Sequence, residues 1–272
     1  MIKPFITIVF LLAFGVVSAQ NKSFVYQLKY KPNPAKDSAV QEKYILDIKD
    51  GKSLFRTVRE KKSDSTFYSG RQFSFLSTSL KDYNSVAKDL KARETKKYIS
   101  NFQKVFSIKV DNDLEWNIEG ETKEILGMKA QRATTIYGSR KWIAYFTTAI
   151  PLHEGPYVVA GLPGLIIEIY DTQNDFHFSL IQIKTSDGEL YEKGNVLPIT
   201  WSQYEKLALD YYADPTRDLN GKNSGSGIMI TKWTDEKGNE ITPNFKEMNL
   251  REQKALKENN NPIELDHKEA YK

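Results

Sequence analysis

Residues 150–170 read IPLHEGPYVVAGLPGLIIEIY and form the most unusual stretch of the chain. Two turn dipeptides divide it, Gly155-Pro156 and Pro163-Gly164. The second suits a type II turn, in which proline fixes φ at one corner and glycine takes a positive φ at the next. Gly161 allows the backbone to pass close to another element. The apolar run from Leu165 to Ile169 then predicts a strand buried on both faces, so the whole stretch predicts a tight corner that feeds a central strand.

Segments in which apolar and polar residues alternate flank this stretch on both sides. A period of two residues, interrupted by turn-forming residues, is typical of antiparallel strands joined as hairpins. The predicted hairpins are 44–58 around Asp50-Gly51, 130–146 around Gly138-Ser139, 165–184 around 171–175, and one that starts with 228–234 and turns at 235–238. Because hairpins outnumber any strand-helix-strand rhythm, we expect a mainly β, α+β fold. It would be a curved antiparallel sheet or a partly open barrel with a few packed helices.

The sequence predicts fewer helices than strands. Thr200 and Gln203 match a capping box ahead of an apolar helical face that ends before Pro215. Apolar spacing over Leu80–Leu90 and a run of helix formers over Phe245–Lys257 predict two more helices. Glycine and serine alternate near the end of 220–227, which predicts a mobile loop within one domain.

The N-terminus has the three parts of a secretory signal. Lys3 precedes an apolar run over Phe5–Val17, and small residues follow up to Ala19. The run is too short for a membrane-spanning helix, which needs about 20 residues. We therefore expect residues 1–19 to be removed, residues 20–272 to form a single domain with no membrane span, and that domain to reside in the periplasm or, alternatively, outside the cell.

The composition excludes several classes of protein. A net charge of +4 at pH 7, with basic and acidic residues intermixed, gives no basic patch for nucleic acid. The chain has no cysteine, which excludes disulfides, thiol nucleophiles, thiolate metal sites and a lipid anchor on cysteine. An exported domain of this size can instead be stabilised by its core alone.

At residues 161–166 the chain resembles the GLPGLI family, whose hexapeptide stands here as Gly161, Leu162, Pro163, Gly164, Leu165 and Ile166. The similarity continues upstream through Gly127, Ala130, Arg140, Trp142, Tyr145, Ile150, Pro151, Gly155 and Pro156, and returns in the closing Asn261, Pro262, Ile263 and Glu264. Members of this family are mostly exported proteins of Bacteroidota, and many are encoded beside outer-membrane transporters. The resemblance implies residence in the cell envelope and an outer-membrane transporter or another envelope protein as partner. It carries over no catalytic residues. Tyr145 and Ala130 stand where many members have tryptophan and cysteine.

Six residues around this motif are candidates for a binding site. The aromatic residues among them are typical of the wall of a cavity in a curved sheet, although aromatic residues equally form ordinary core. Glu168 interrupts the apolar strand, and it either faces the outer side of the sheet or forms a buried pair with Arg140 on the floor of a cavity. The candidates are Arg140, Trp142, Tyr145, His153, Tyr157 and Glu168.

No pattern in the sequence predicts a cofactor or a metal. His153-Glu154 begins like a zinc-protease motif, but Gly155-Pro156 would break the required helix. A metal site of His153, Glu168 and His177 is conceivable, yet the ligand set is sparse and we expect no metal.

Three hypotheses about function follow. The leading one is a non-enzymatic envelope protein that binds a hydrophobic small ligand or a transporter partner. The second is a hydrolase of peptides or envelope material, for which His153, Glu154, Glu168 and Asp171 would have to converge in an open cleft. The third is a purely structural interaction module with neither cleft nor cavity.

Overall fold

The computed structural model describes residues 22–68, 77–102, 104–111, 113–186, 190, 193, 195–219, 233–234 and 238–272, and only the backbone of 66–68, 77–84, 102, 218 and 234. The predicted signal peptide and the predicted mobile loop over 220–227 lie outside these residues.

The fold is dominated by one twelve-stranded sheet that is curved and does not close on itself. Its strands are β1 (Lys22–Tyr30), β2 (Val40–Lys49), β3 (Lys52–Thr57), β4 (Ser77–Asp89), β5 (Glu94–Phe102), β6 (Lys104–Val110), β7 (Asn117–Ile125), β8 (Met128–Tyr137), β9 (Arg140–Thr147), β10 (Leu165–Asp171), β11 (Phe176–Thr185) and β12 (Val196–Ile199). They are arranged in the order β12-β6-β5-β4-β3-β2-β1-β11-β10-β9-β8-β7. All neighbours are antiparallel except β12 and β6, so the prediction of a mainly β fold with an open antiparallel sheet is confirmed.

Two-residue turns join the predicted hairpins as the sequence indicates. Asp50 and Gly51 have φ of 53° and 82° between β2 and β3, and Gly138 and Ser139 have φ of 59° and 58° between β8 and β9. Positive φ at both central residues is the type I′ geometry, whose twist matches that of the flanking strands. The predicted hairpin that runs into 165–184 is also present, as β10 and β11.

The three α-helices of the described residues are α1 (Val58–Tyr68), α2 (Trp201–Ala213) and α3 (Phe245–Glu258). α2 has the predicted capping box, because Thr200 Oγ1 accepts from the Gln203 amide and the Gln203 side chain accepts from the Thr200 amide. α3 confirms the helix predicted over Phe245–Lys257. Of the predicted last hairpin, β13 (Trp233–Thr234) pairs with β14 (Glu240–Ile241). None of the helices in the described residues is long and apolar enough to cross a membrane.

The helix predicted over Leu80–Leu90 is wrong, because the segment belongs to β4. Val86 and Lys88 both face the interior of the fold, and Lys88 is buried there in an ion pair. Because a lysine stands at one interior position of β4, the alternation of apolar and polar residues that marks a strand is not visible in the sequence. A helix was missed instead at α1, where Thr57 and Glu60 form a capping box.

The core lies against one face of the sheet, here called the inner face. Phe24, Tyr26, Leu46 and Phe55 are completely buried on this face. The loop of residues 148–164, here called the corner loop, supplies further core side chains to it, including Tyr157, Val158, Val159 and Leu162. The opposite, outer face is covered at β2 and β3 by α1, through pairs such as Arg56 with Asp64 (2.7 Å).

The two motif glycines have roles opposite to those predicted. Gly161, not Gly164, has the positive φ, at 96°. A Cβ atom on Gly164 would lie 2.2 Å from the Thr147 carbonyl oxygen, so this glycine provides the close backbone approach. The turn is a three-residue γ-turn, in which the Gly164 amide donates to the Leu162 carbonyl at 2.8 Å across Pro163. The type II turn predicted here is therefore wrong.

Candidate functional site

The candidate residues fall into an inner group, an outer group and one isolated side chain. Arg140, Trp142 and Tyr157 are buried on the inner side, with exposed fractions of 1%, 3% and 2%. Tyr145 and Glu168 lie opposite each other on β9 and β10, on the outer face. His153 is exposed on the corner loop.

Of the two positions that the sequence allowed for Glu168, the structure has the one on the outer face, and the buried pair with Arg140 is wrong. Arg140 Nη1 instead binds Asp171 Oδ2 at 2.7 Å and Asp175 Oδ2 at 3.3 Å. Successive side chains of a strand point to opposite faces, and the register places Glu168 on the face away from Arg140. Asp171, at the end of β10, is the acid that the sequence reasoning missed as the partner of Arg140.

The rest of the Arg140 guanidinium binds the closing residues 261–264, here called the C-terminal segment. Its Nη2 donates to Asn261 Oδ1 at 2.6 Å and to the Pro262 carbonyl at 2.7 Å. Its Nε donates to the Ile263 carbonyl at 3.1 Å. Every side of this buried cation thus contacts an acceptor or a carboxylate, as a buried charge requires.

Glu264 is the second anchor of the C-terminal segment. Its carboxylate is buried and receives Lys97 Nζ at 2.8 Å, together with the Tyr137 hydroxyl at 2.7 Å and the Tyr157 hydroxyl. Burial alone would raise the pKa of Glu264, but the charge of Lys97 and these hydrogen bonds outweigh burial and lower the pKa. Tyr157 reaches Glu264 from a backbone with φ of 55°, which is unusual for a bulky residue.

The outer group is part of a larger arrangement on β7 to β11, here called the outer-face cluster, whose members are Glu121, Lys123, Arg132, Tyr145, Glu168, Tyr170 and His177. Glu168 is half-buried and pairs with Lys123, while His177 Nε2 contacts Glu168 Oε1 at 3.0 Å. The hydrogen bond with His177 is the largest influence on Glu168, and together with Lys123 it lowers the pKa of Glu168 against the effect of burial. The carboxylate therefore stays ionised under ordinary conditions.

Tyr145 lies at the centre of the cluster. Lys123 Nζ is 3.7 Å from the centroid of its ring, and its hydroxyl donates to Glu121 Oε1 at 2.7 Å. Burial and then the hydrogen bond to Glu121 raise the pKa of Tyr145. Arg132, its cross-strand neighbour, pairs with Glu119. The side chains of the cluster thus hold one another in fixed positions on a partly exposed surface.

The side chains that a hydrolase would need do not converge. Glu154 is buried and binds Lys88 Nζ at 2.9 Å, Asp171 binds Arg140, and Glu168 binds Lys123. Ser179 Oγ and Glu168 both contact Nε2 of His177, at 3.1 Å and 3.0 Å. In a serine-histidine-acid triad the two groups bind different ring nitrogens, so this trio cannot relay a proton.

Glu168 and His177 are also two members of the metal site that the sequence allowed. Within the described residues, no three histidine, aspartate, glutamate or cysteine side chains are grouped closely enough to hold an ion. Ligand contact by any of the six candidate residues stays a prediction.

Three lysines that position these groups escaped the sequence reasoning. Lys88 and Lys97 lie on the inner face, where the alternation of β4 and β5 places interior side chains. Lys123 extends from β7, and its cross-strand partner Ala130 is small enough to leave space for it. For Lys88 and Lys97 the available signal was a lysine in register with buried positions of a strand, which composition alone does not distinguish from a solvent-exposed lysine.

Comparisons with known proteins add a likeness of fold. No model of a protein family matches the chain, and no curated protein matches it. Two structures of PNGF-II, in the C2 and P21 space groups, align with 15% and 16% identity and a TM-score of 0.50 in both cases. The alignments cover 70% of this chain but only 32% and 33% of the PNGF-II chains. The chain is thus similar in fold to about a third of PNGF-II.

Proposed function

We propose that this chain is an exported protein of the cell envelope, of the GLPGLI type, that binds a protein partner without catalysing a reaction. The observation that carries the proposal is the outer-face cluster, a partly exposed surface of aromatic and charged side chains that crosses five strands. The sequence supports export through its N-terminal signal pattern, and the resemblance to the family supports an outer-membrane transporter as the partner.

The composition of the cluster fits a protein interface. Tyrosine and arginine are enriched at the energetic centres of such interfaces, and the partly exposed Tyr170 and Arg132 supply them here. Pairs such as Lys123 with Glu168 already fix the side chains in the free protein. A partner would therefore lose little side-chain entropy on this side when it binds.

A protein partner fits this surface better than a hydrophobic small ligand. Trp142 and Tyr157, which a cavity wall would need, are buried in the hydrophobic core. The cluster is instead spread over several strands of a sheet, which offers area rather than depth.

Cross-linking in the native envelope tests the proposal with a matched pair of variants. Ile136 on β8 and Leu197 on β12 are both exposed, at 65% and 50%, but only Ile136 lies on a strand of the outer-face cluster, on the same face as Arg132. Wild type, Ile136→Asp and Leu197→Asp are each expressed with a tag, cross-linked, and purified for mass spectrometry. We expect a partner that is lost with Ile136→Asp and retained with Leu197→Asp.

Two results would contradict the proposal. A partner recovered equally with both variants would exclude the outer face as the binding surface. Recovery of the protein in the cytoplasmic fraction with residues 1–19 still attached would exclude export.

A further inference from the structure

The C-terminal segment makes the kinds of contact that hold a peptide ligand in a protein groove. It lies between α3 and the 3₁₀ turn Leu265–His267 and forms neither helix nor strand. Its contacts are made with side chains and backbone of distant parts of the sheet and corner loop. The groove that receives it is formed by Lys31, Lys97, Tyr137, Gly138, Arg140 and Tyr157.

The groove recognises the main chain of the segment. Arg140 donates to two successive carbonyls, those of Pro262 and Ile263, at 2.7 Å and 3.1 Å. The Leu265 amide donates to the Gly138 carbonyl at 2.9 Å. These bonds fit the bent backbone of the segment at Ile263 and involve no side chain of the segment, which is the main-chain part of peptide recognition.

The groove also selects side chains at three positions. Both polar atoms of the Asn261 side-chain amide form hydrogen bonds with the groove. Oδ1 accepts from Arg140, and Nδ2 donates to the Lys31 carbonyl at 2.7 Å. Ile263 enters the hydrophobic core. Glu264 meets one ammonium group and two hydroxyl groups, which complement a carboxylate and would leave an amide with unmatched donors.

The bed of the groove has little spare space. A Cβ atom on Gly138 would lie 2.7 Å from the Ile263 carbonyl oxygen and 2.9 Å from Glu264 Cα. Only glycine allows the segment to approach the turn between β8 and β9 this closely. The shape of the groove is therefore matched to the backbone that the segment has in this position.

We infer that this groove is a peptide-binding site occupied in cis, and that it accepts a segment of a partner protein with the same chemistry and the same bent backbone. That chemistry is asparagine, any residue compatible with the bent chain, an aliphatic residue, and glutamate. The site is separate from the outer-face cluster and does not depend on it. A tethered segment competes at an effective concentration in the millimolar range, so a partner segment binds when the cis segment is weakened or displaced.

A labelled peptide tests the inference on the full-length chain. The probe has the sequence ENNNPIELDH of residues 258–267, and a second peptide has glutamine in place of the residue equivalent to Glu264. The variant Ile263→Ala weakens the cis segment and leaves the groove intact. Asn261→Ala does the same without creating a cavity in the core, and it serves if Ile263→Ala does not fold.

The expected result is binding of the first peptide at least about tenfold tighter to either cis variant than to wild type, by fluorescence anisotropy. The glutamine peptide should bind more weakly. Adding Tyr137→Phe, which removes one donor from the groove, should reduce the affinity, and Leu250→Ala on the exposed side of α3 should leave the wild-type value unchanged.

The inference is overturned if folded cis variants bind the peptide no better than wild type, or if both peptides bind them equally. Ile136→Asp should not alter peptide binding. The outcome is therefore independent of whether the outer face binds a partner.

Discussion

Three buried cations attach loops to the inner face of the sheet. Lys88 holds the corner loop through Glu154 and the carbonyls of Gly155 and Val159, and Lys97 and Arg140 hold the C-terminal segment. Arg140 is a candidate residue from the sequence alone, but the acid considered for it there is Glu168 and not Asp171, because the choice between the two depends on strand register. Register is fixed by long-range pairing that a single sequence does not reveal.

The buried pair of Lys97 and Glu264 predicts a strongly non-additive pair of substitutions. Glu264→Gln should cost about 3 kcal/mol, because it leaves a buried ammonium group without its counter-ion. Lys97→Met alone should cost a similar amount for the converse reason. The double variant should be more stable than the sum of both losses predicts, which urea denaturation measures. Additive losses would show that the pair does not interact in the folded protein.

Gly164 should tolerate no side chain. Gly164→Ala places a Cβ atom 2.2 Å from the Thr147 carbonyl oxygen, so the corner must shift, and we expect a loss of about 3 kcal/mol or more. Gly120 on β7 is the matched control, since a Cβ atom there meets nothing within 4 Å. Gly120→Ala should change the free energy of unfolding by no more than about 0.5 kcal/mol. Equal denaturation midpoints for the two variants would contradict the close approach.

Glu168 should contribute stability that disappears in acid. The pKa of Glu168 is lower in the folded chain than its unfolded value of about 4.3, so its contribution is present above that pH. It is lost as the pH falls through the folded pKa. Glu168→Gln should therefore be less stable than wild type at pH 7, by about 1 kcal/mol for a partly exposed pair, and the difference should shrink as the pH falls through the lowered pKa of Glu168. If the difference in stability between the two proteins grew as the pH fell, the pKa of Glu168 would be raised rather than lowered by folding.

A helix, strand or turn can be predicted from the sequence where neighbouring residues alone decide its structure. The hairpin at Asp50-Gly51 and the capping box at Thr200 are local signals, and both predictions are confirmed. β4 was mistaken for a helix because its interior position at Lys88 is polar, which only the distant Glu154 explains. The pairing of Lys123 with Glu168 was missed for the same reason, since the two residues are 45 apart in the chain.

The turn between β7 and β8 offers a gain in stability. Leu126 has φ of 52° and is 57% exposed, a strained position that asparagine tolerates better. Leu126→Asn, followed by Gly127, would create the preferred type I′ pair and should stabilise the chain by about 0.5–1 kcal/mol. Leu250 is 59% exposed in α3, and Leu250→Asn should destabilise slightly because asparagine is a poorer helix former. Thermal denaturation of both variants measures the contrast, and a loss at Leu126 would refute the turn geometry.

At the scale of the molecule, β1 joins two groups of strands that are far apart in sequence. It pairs with β2 on one side and with β11 on the other, so 22–30 lie between strands from the first and second halves of the chain. The Tyr26 hydroxyl also donates to the Ile166 carbonyl at 2.6 Å, which links β1 to β10. A single core that spans both halves should therefore unfold as one unit, although the chain is long enough for two small domains.

The position of β1 between these two groups of strands gives a test of the single domain that we expect over residues 20–272. Leu28 on β1 is completely buried, and Leu28→Ala should cost about 3 kcal/mol through lost contacts and a cavity. Because β1 is shared, amide hydrogen exchange should accelerate together in β2 and β3 and in β9 and β10. Leu197→Ala, at the half-exposed edge strand β12, should leave both regions unchanged. If Leu28→Ala accelerated exchange in only one of the two regions, the sheet would contain two separately folding units, and β1 would be a contact between them rather than part of one core.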